Sequence, residues 1–150
     1  MRPVITNDGW EHTISDIITL HDYEQDAQKL YEALADKDAI VGNRQAMSNK
    51  RYTFADNHSY TGQPVILSEF GGIAIEGKGE GWGYGTRVTD TEKLIARYDS
   101  LVMGIRRMPY ICGFCYTQAT DVQQEVNEFM DMERQFKCDA EAIKAINLRK

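Results

Sequence analysis

The chain is poor in the residues that staple or interrupt small proteins. Its 150 residues include only three prolines and three cysteines. An odd, low cysteine count excludes a disulfide scaffold, and a chain of this length can bury a core without one. Cys112 and Cys115 have the spacing of a metal or redox pair, but they fall in Tyr110-Ile-Cys-Gly-Phe-Cys-Tyr116, which reads as a strand. Residues three apart in a strand point to opposite faces, so the expectation is buried structural thiols. No apolar run approaches the roughly 18 residues that span a bilayer. The opening Met1-Arg-Pro-Val-Ile-Thr6 lacks the apolar segment of a signal peptide, which makes a cytoplasmic location the expectation. Asn57-His58-Ser59 then matches a glycosylation acceptor only by chance.

Positive charge is also scarce. Lys and Arg number 17 against 23 Asp and Glu, for a net charge of −6. That balance argues against nucleic acid or an anionic membrane as partner. A phosphate fingerprint is missing too. Seven of the twelve glycines lie between Gly71 and Gly85, yet Tyr84 stands where G-x-G-x-x-G, begun at Gly79-x-Gly81, needs its third glycine. No cofactor and no metal are expected, and Asp121, Glu125 and Glu128 read as a solvated face.

What is present is an alternation of strand and helix. Residues 3–8 open with a short β-branched run that ends in the turn Asn7-Asp-Gly9. Asp16 to Tyr23 is nearly continuous apolar, as in a parallel strand buried on both faces. A helix over about 24–36 carries the stripe Ala27, Leu30, Tyr31 and Leu34. Residues 37–62 read as a long polar loop. A strand over 64–69 follows, then the glycine-dense loop. Thr89-x-x-Glu92 is a capping box for a helix whose buried stripe is Leu94, Tyr98, Leu101, Val102 and Ile105. A strand over 110–117 precedes a polar stretch over 120–135. Asp139 caps a last helix with Ala140, Ile143 and Ile146 facing inward.

Alternating βα units imply a parallel α/β sheet, either doubly wound or part of a (β/α)8 barrel. The strands end in His21-Asp-Tyr23, Ser68-Glu69 and Tyr116-Thr-Gln118. Polar and aromatic groups gathered at C-terminal strand ends favour the barrel. Period-2 counting then expects Glu69 to share its face with Val65 and Leu67, Tyr23 with Thr19 and His21, and Tyr116 with Phe114 and Cys112.

Three segments go beyond generic pattern. They are Val65-Ile-Leu-Ser-Glu-Phe-Gly-Gly72, Gly113-Phe-Cys-Tyr-Thr-Gln-Ala-Thr-Asp-Val-Gln-Gln-Glu-Val-Asn127, and Asn7-Asp-Gly-Trp-Glu11 followed by Ser15-Asp-Ile-Ile-Thr-Leu-His-Asp-Tyr23. In this order they resemble the C-terminal half of the catalytic barrel of glycoside hydrolase family 2, whose members include β-galactosidases, β-glucuronidases and β-mannosidases. The resemblance implies that residues 1–150 form approximately strands 5 to 8 of a TIM barrel, with no internal domain boundary.

The implied activity is that of a retaining exo-β-glycosidase, with β-galactosidase the leading expectation and a β-linked sugar as substrate. Glu69 matches the nucleophile and Tyr23 the tyrosine that hydrogen-bonds it. Tyr116 stands where many members place a tryptophan against the sugar. Asn7, Trp10 and His21 share the same rim, and Trp82 in the glycine loop is within reach of it. A retaining mechanism also needs a protonated carboxyl about 5–5.5 Å from the nucleophile. In the family that group belongs to an Asn-Glu pair ending the fourth strand, which would precede Met1. The expectation is therefore a chain that hydrolyses nothing alone. Its two unpaired sheet edges would promote homo-oligomers or pairing with the other half-barrel. The alternative is a non-catalytic carbohydrate-binding or assembly fragment.

Overall fold

The computed structural model describes residues 2–77 and 81–149. Gly79, used above to test for a phosphate fingerprint, lies outside the described residues. Three strands, β1 (Ile18–Asp22), β2 (Val65–Gly71) and β3 (Ile111–Thr117), form one parallel sheet in the order β1-β2-β3. Helices α1 (Ala27–Leu34) and α2 (Lys37–Val41) connect β1 to β2. Helix α3 (Thr91–Arg106) connects β2 to β3, and α4 (Ala140–Leu148) ends the chain. Helix α1 packs on α3, and α3 on α4.

Local chemistry sets the helix ends. The Asp26 carboxylate accepts the backbone N–H groups of Gln28 and Lys29, so α1 starts at Ala27, the first residue of its apolar stripe and three residues later than the expected start near Glu24. At α3 the capping residue is Asp90, which accepts from Lys93 N–H, and the Thr89 hydroxyl donates to Asp90 instead of capping the helix. The expected capping box is thus replaced by the neighbouring carboxylate, a stronger acceptor. The α3 stripe is buried as its spacing predicts, and Leu30, Leu34, Leu94 and Leu101 share one apolar cluster with Ile18, Leu20, Val65 and Leu67.

Two stretches differ from expectation. Residues 3–8 form no strand. They run beside 15–16, where Val4 N–H donates to Asp16 and Thr6 N–H to Ser15 Oγ. The supposed loop 37–62 contains α2 and is tied down from inside. The Asn43 side chain bonds both the C=O and the N–H of Phe54, while the Thr53 hydroxyl donates to Ile40 O.

The sheet edges also differ from each other. His12 is fully buried beside β1, and its Nε2 accepts Thr19 N–H at 3.0 Å. Burial lowers the His12 pKa, which favours the neutral ring this acceptor role requires. The β3 edge is open among the described residues, and both Cys112 and Cys115 are exposed. They are not the buried thiols expected, because β3 ends the sheet.

Candidate active site

A β-bulge positions Glu69. Leu20 pairs with Leu67 but His21 pairs with Glu69, leaving Ser68 as an extra residue in β2. Strict alternation would put Glu69 on the face of Val65 and Leu67. Those two are instead buried in the helix-covered core, Phe70 takes up the buried phase, and Glu69 stays partly open to solvent. The inward set expected for β2 is corrected accordingly. On β1 the counting holds: Thr19 and His21 face the site side while Ile18 and Leu20 join the apolar cluster.

The Glu69 carboxylate is held by two side chains from β1 and its end. Tyr23 OH donates to Oε2 at 2.6 Å, and His21 Nδ1 lies 3.2 Å from the same oxygen. Burial and the hydrogen bond to Glu69 push the Tyr23 hydroxyl well above its ordinary pKa, so it remains a donor. On the far side of the imidazole, Nε2 lies 3.3 Å from Asp8 Oδ2. Asp8 also accepts the Ser68 hydroxyl at 2.7 Å. Burial opposes its ionisation, but hydrogen bonds from Ser68 and Thr19 and the charge of His21 outweigh it and hold Asp8 below the usual carboxylate range. The bulge residue thus fastens the chain segment that backs the histidine. Gly9 allows this approach: its φ is +92°, and a Cβ there would strike the His21 ring.

Glu69 opens onto a cavity of about 420 Å³ lined by Trp10, His21, Tyr23, Glu24, Ser48, Asn49, Glu69 and Tyr84. Tyr84 stacks on Tyr23 with ring centroids 3.5 Å apart, and Trp10 meets His21 edge-on at 5.1 Å. Ser48 reaches the rim because its hydroxyl donates to Asp22, whose buried carboxyl has a raised pKa. Asp8, His21 and Glu69 place ligand-capable atoms within 4.8 Å of one another. The imidazole lies between the two carboxylates, within 3.2–3.3 Å of each, but its buried Nε2 has no hydrogen-bond partner.

Of the expected site residues, the structure gathers Glu69, Tyr23, His21 and Trp10 around one cavity. Asn7 is adjacent to Asp8 but spends its amide on Trp10 O. Trp82 is half exposed and touches the site only through its edge contact with Tyr84, at 5.4 Å. Tyr116 does not line the cavity. The β2–β3 register slips after Leu67, and Tyr116 pairs with Phe70 on the helix side. There its ring stacks on Phe129 at 4.1 Å, and its hydroxyl accepts Ile73 N–H and donates to Asn127 O.

Asp8, Ser48, Asn49 and Glu24 were not anticipated at the site. Asp8 sits in a turn sequence whose backbone role conceals its carboxylate, and Ser48 and Asn49 lie in a stretch without periodicity. The acidic group after β3 is not a solvated face. Glu128 is fully buried, Asp121 pairs with the buried ammonium of Lys137 at 2.6 Å, and burial with the Asp121 contact lifts the Glu128 pKa to about 8.

No protein-family model and no curated protein matches the chain. Solved structures do. A Bifidobacterium dentium β-glucuronidase complexed with coumarin-3-O-glucuronide is 18% identical, with a TM-score of 0.54 over 89% of this chain and 20% of that one. A GH2 β-galacturonidase from Eisenbergiella tayi bound to glycerol is 13% identical, with a TM-score of 0.55 over 91% of this chain and 24% of that one. An agarase is 14% identical, with a TM-score of 0.52 over 89% of this chain and 18% of that one. The chain therefore spans between 18% and 24% of the length of these structures. At such identities the likeness is one of fold, and the fold this chain shares is found in glycoside hydrolases of family 2.

Proposed function

We propose that this chain is part of a retaining β-glycosidase and supplies its nucleophile, Glu69. The observation that carries the reading is the Glu69 carboxylate itself. It stands at the C-terminal end of the central strand, takes a 2.6 Å hydrogen bond from Tyr23, and faces an aromatic-walled cavity large enough for a sugar ring. A nucleophile in a partly dry site must stay ionised, and a hydroxyl donor such as Tyr23 serves that need. The apolar faces of Trp10 and Tyr84 suit the apolar side of a pyranose. Attack by Oε2 or Oε1 on the anomeric carbon would expel the leaving group and give a covalent glycosyl-enzyme for water to hydrolyse.

The sheet order and the single helical layer support placement as the last strands of a (β/α)8 barrel, with β-galactosidase the proposed whole-protein activity. On this reading the acid/base carboxyl comes from outside this chain, the chain alone is inactive on ordinary glycosides, and the open β3 edge pairs with the other half-barrel or a second copy. Each step is separable by leaving group. A fluorinated β-galactoside carrying a dinitrophenyl leaving group needs no general acid. It is expected to add one glycosyl unit to Glu69, seen by peptide mass spectrometry, while plain aryl galactosides release nothing. Labelling at another residue, or none with either substrate, would overturn the assignment of Glu69.

A further inference from the structure

Among its described lining residues, the cavity beside Glu69 is acidic. Among the described residues its lining holds two carboxylates, Glu24 and Glu69, and neither lysine nor arginine. Its one basic group, His21, already stands between the carboxylates of Asp8 and Glu69. Arg51, close in sequence to the rim residues Ser48 and Asn49, is paired with Glu11 at 3.0 Å. Tyr84 feels the same field. Burial first raises its hydroxyl pKa, a hydrogen bond with Tyr23 opposes this, and the charges of Glu125 and Glu69 raise it further.

Glu24 is not a free surface carboxylate. Its Oε1 accepts Asp26 N–H at 2.9 Å, just before α1, and its own N–H donates to Asp22 at 2.9 Å. A pyranose can stack on the aromatic walls and bond Ser48 or Asn49 whether or not it carries an acid. An exocyclic carboxylate, however, would enter against two fixed like charges in a partly dehydrated space, where repulsion exceeds that in water. A site that discriminates does so through such an opposing element as much as through its attractive ones.

We infer that this cavity accepts an uncharged pyranose and rejects a hexuronate, with Glu24 setting that selectivity. The inference rests on reading the cavity as a sugar site. It is tested by titrating methyl β-galactoside, methyl β-glucoside and their uronate counterparts into the chain, E24Q and E24K, following amide NMR shifts at low and raised salt. Gln retains the oxygen that accepts Asp26 N–H, so E24Q isolates the charge. The neutral glycosides are expected to bind at least about ten-fold more tightly than the uronates. That ratio should shrink several-fold in E24Q, shrink further in E24K, and shrink with added salt in the parent chain. Equal binding of neutral and uronate glycosides, or a ratio that neither variant moves, would overturn the inference while leaving the sugar site intact. Shifts with no glycoside at all would overturn both.

Discussion

Two groups of carboxylates in this molecule make opposite use of the same chemistry. Around Glu69, a carboxylate is donated to by Tyr23, lies beside His21 and opens onto a cavity. Around Glu128, carboxyl groups are sealed. Glu128 is fully buried, its neighbour Asp121 is tied to Lys137, and its pKa is lifted to about 8. Hydrogen bonding is abundant in both. Access and the sign of the nearest charge decide what each can do. A half-open carboxylate held by a hydroxyl donor can attack a ligand. A buried acid beside a lysine-paired carboxylate can only hold a loop.

The comparison breaks most sharply at Glu69. Glu69→Gln is expected to abolish covalent labelling by the activated fluoroglycoside, whereas Glu128→Gln should still be labelled. Labelling of Glu69→Gln at a neighbouring carboxyl would reassign the nucleophile.

The next largest effect belongs to the sealed group. Lys137→Met leaves the Asp121 carboxylate buried without its partner and should destabilise the fold by roughly 3–5 kcal/mol, read from urea midpoints. A loss under about 1 kcal/mol would mean that this pair is wetter than its burial implies.

Glu128 sharpens the contrast through pH. Its folded pKa is raised from 4.5 to about 8, so the native state holds a proton that the unfolded chain releases. Its stabilising contribution is complete below pH 4.5 and is lost as pH rises through about 8. Across that window stability should fall by up to about 1.4 kcal/mol per pH unit, and Glu128→Gln should flatten the slope. An identical slope in the variant would place the titration elsewhere.

Smaller effects test the donors at Glu69. Tyr23→Phe removes a hydrogen bond to a charged group, worth about 1.5–3 kcal/mol, and should slow labelling by roughly 10- to 150-fold with little loss of stability. Asp8→Asn acts one step further away, through His21. A modest polar contact's worth, about 0.5–1.5 kcal/mol, is the expected scale, so labelling should slow by roughly 2- to 13-fold. An Asp8 effect larger than that of Tyr23 would show that the histidine, not the tyrosine, governs the carboxylate.

The sequence by itself determined where the strands and main helices fall and that a carboxylate ends the central strand. These features are local. A period of 3.6 or 2, a capping aspartate and a Pro after a helix act within a few residues. Leu94 to Ile105 and Ile18 to Leu20 were legible for that reason. Tertiary structure alone decided how the sequence was used around the site. One extra residue, Ser68, shifted the alternation and freed Glu69 from the core phase. The face that Tyr116 shares with Phe114 proved to be the helix side, and a turn aspartate far along the chain came to rest against His21. Long-range burial drew two acids that look solvent-bound, Asp121 and Glu128, into a sealed group with Lys137. Polar residues have no period of their own. Their partners are chosen by the geometry of segments brought together from across the chain, so their roles emerge only when those segments meet.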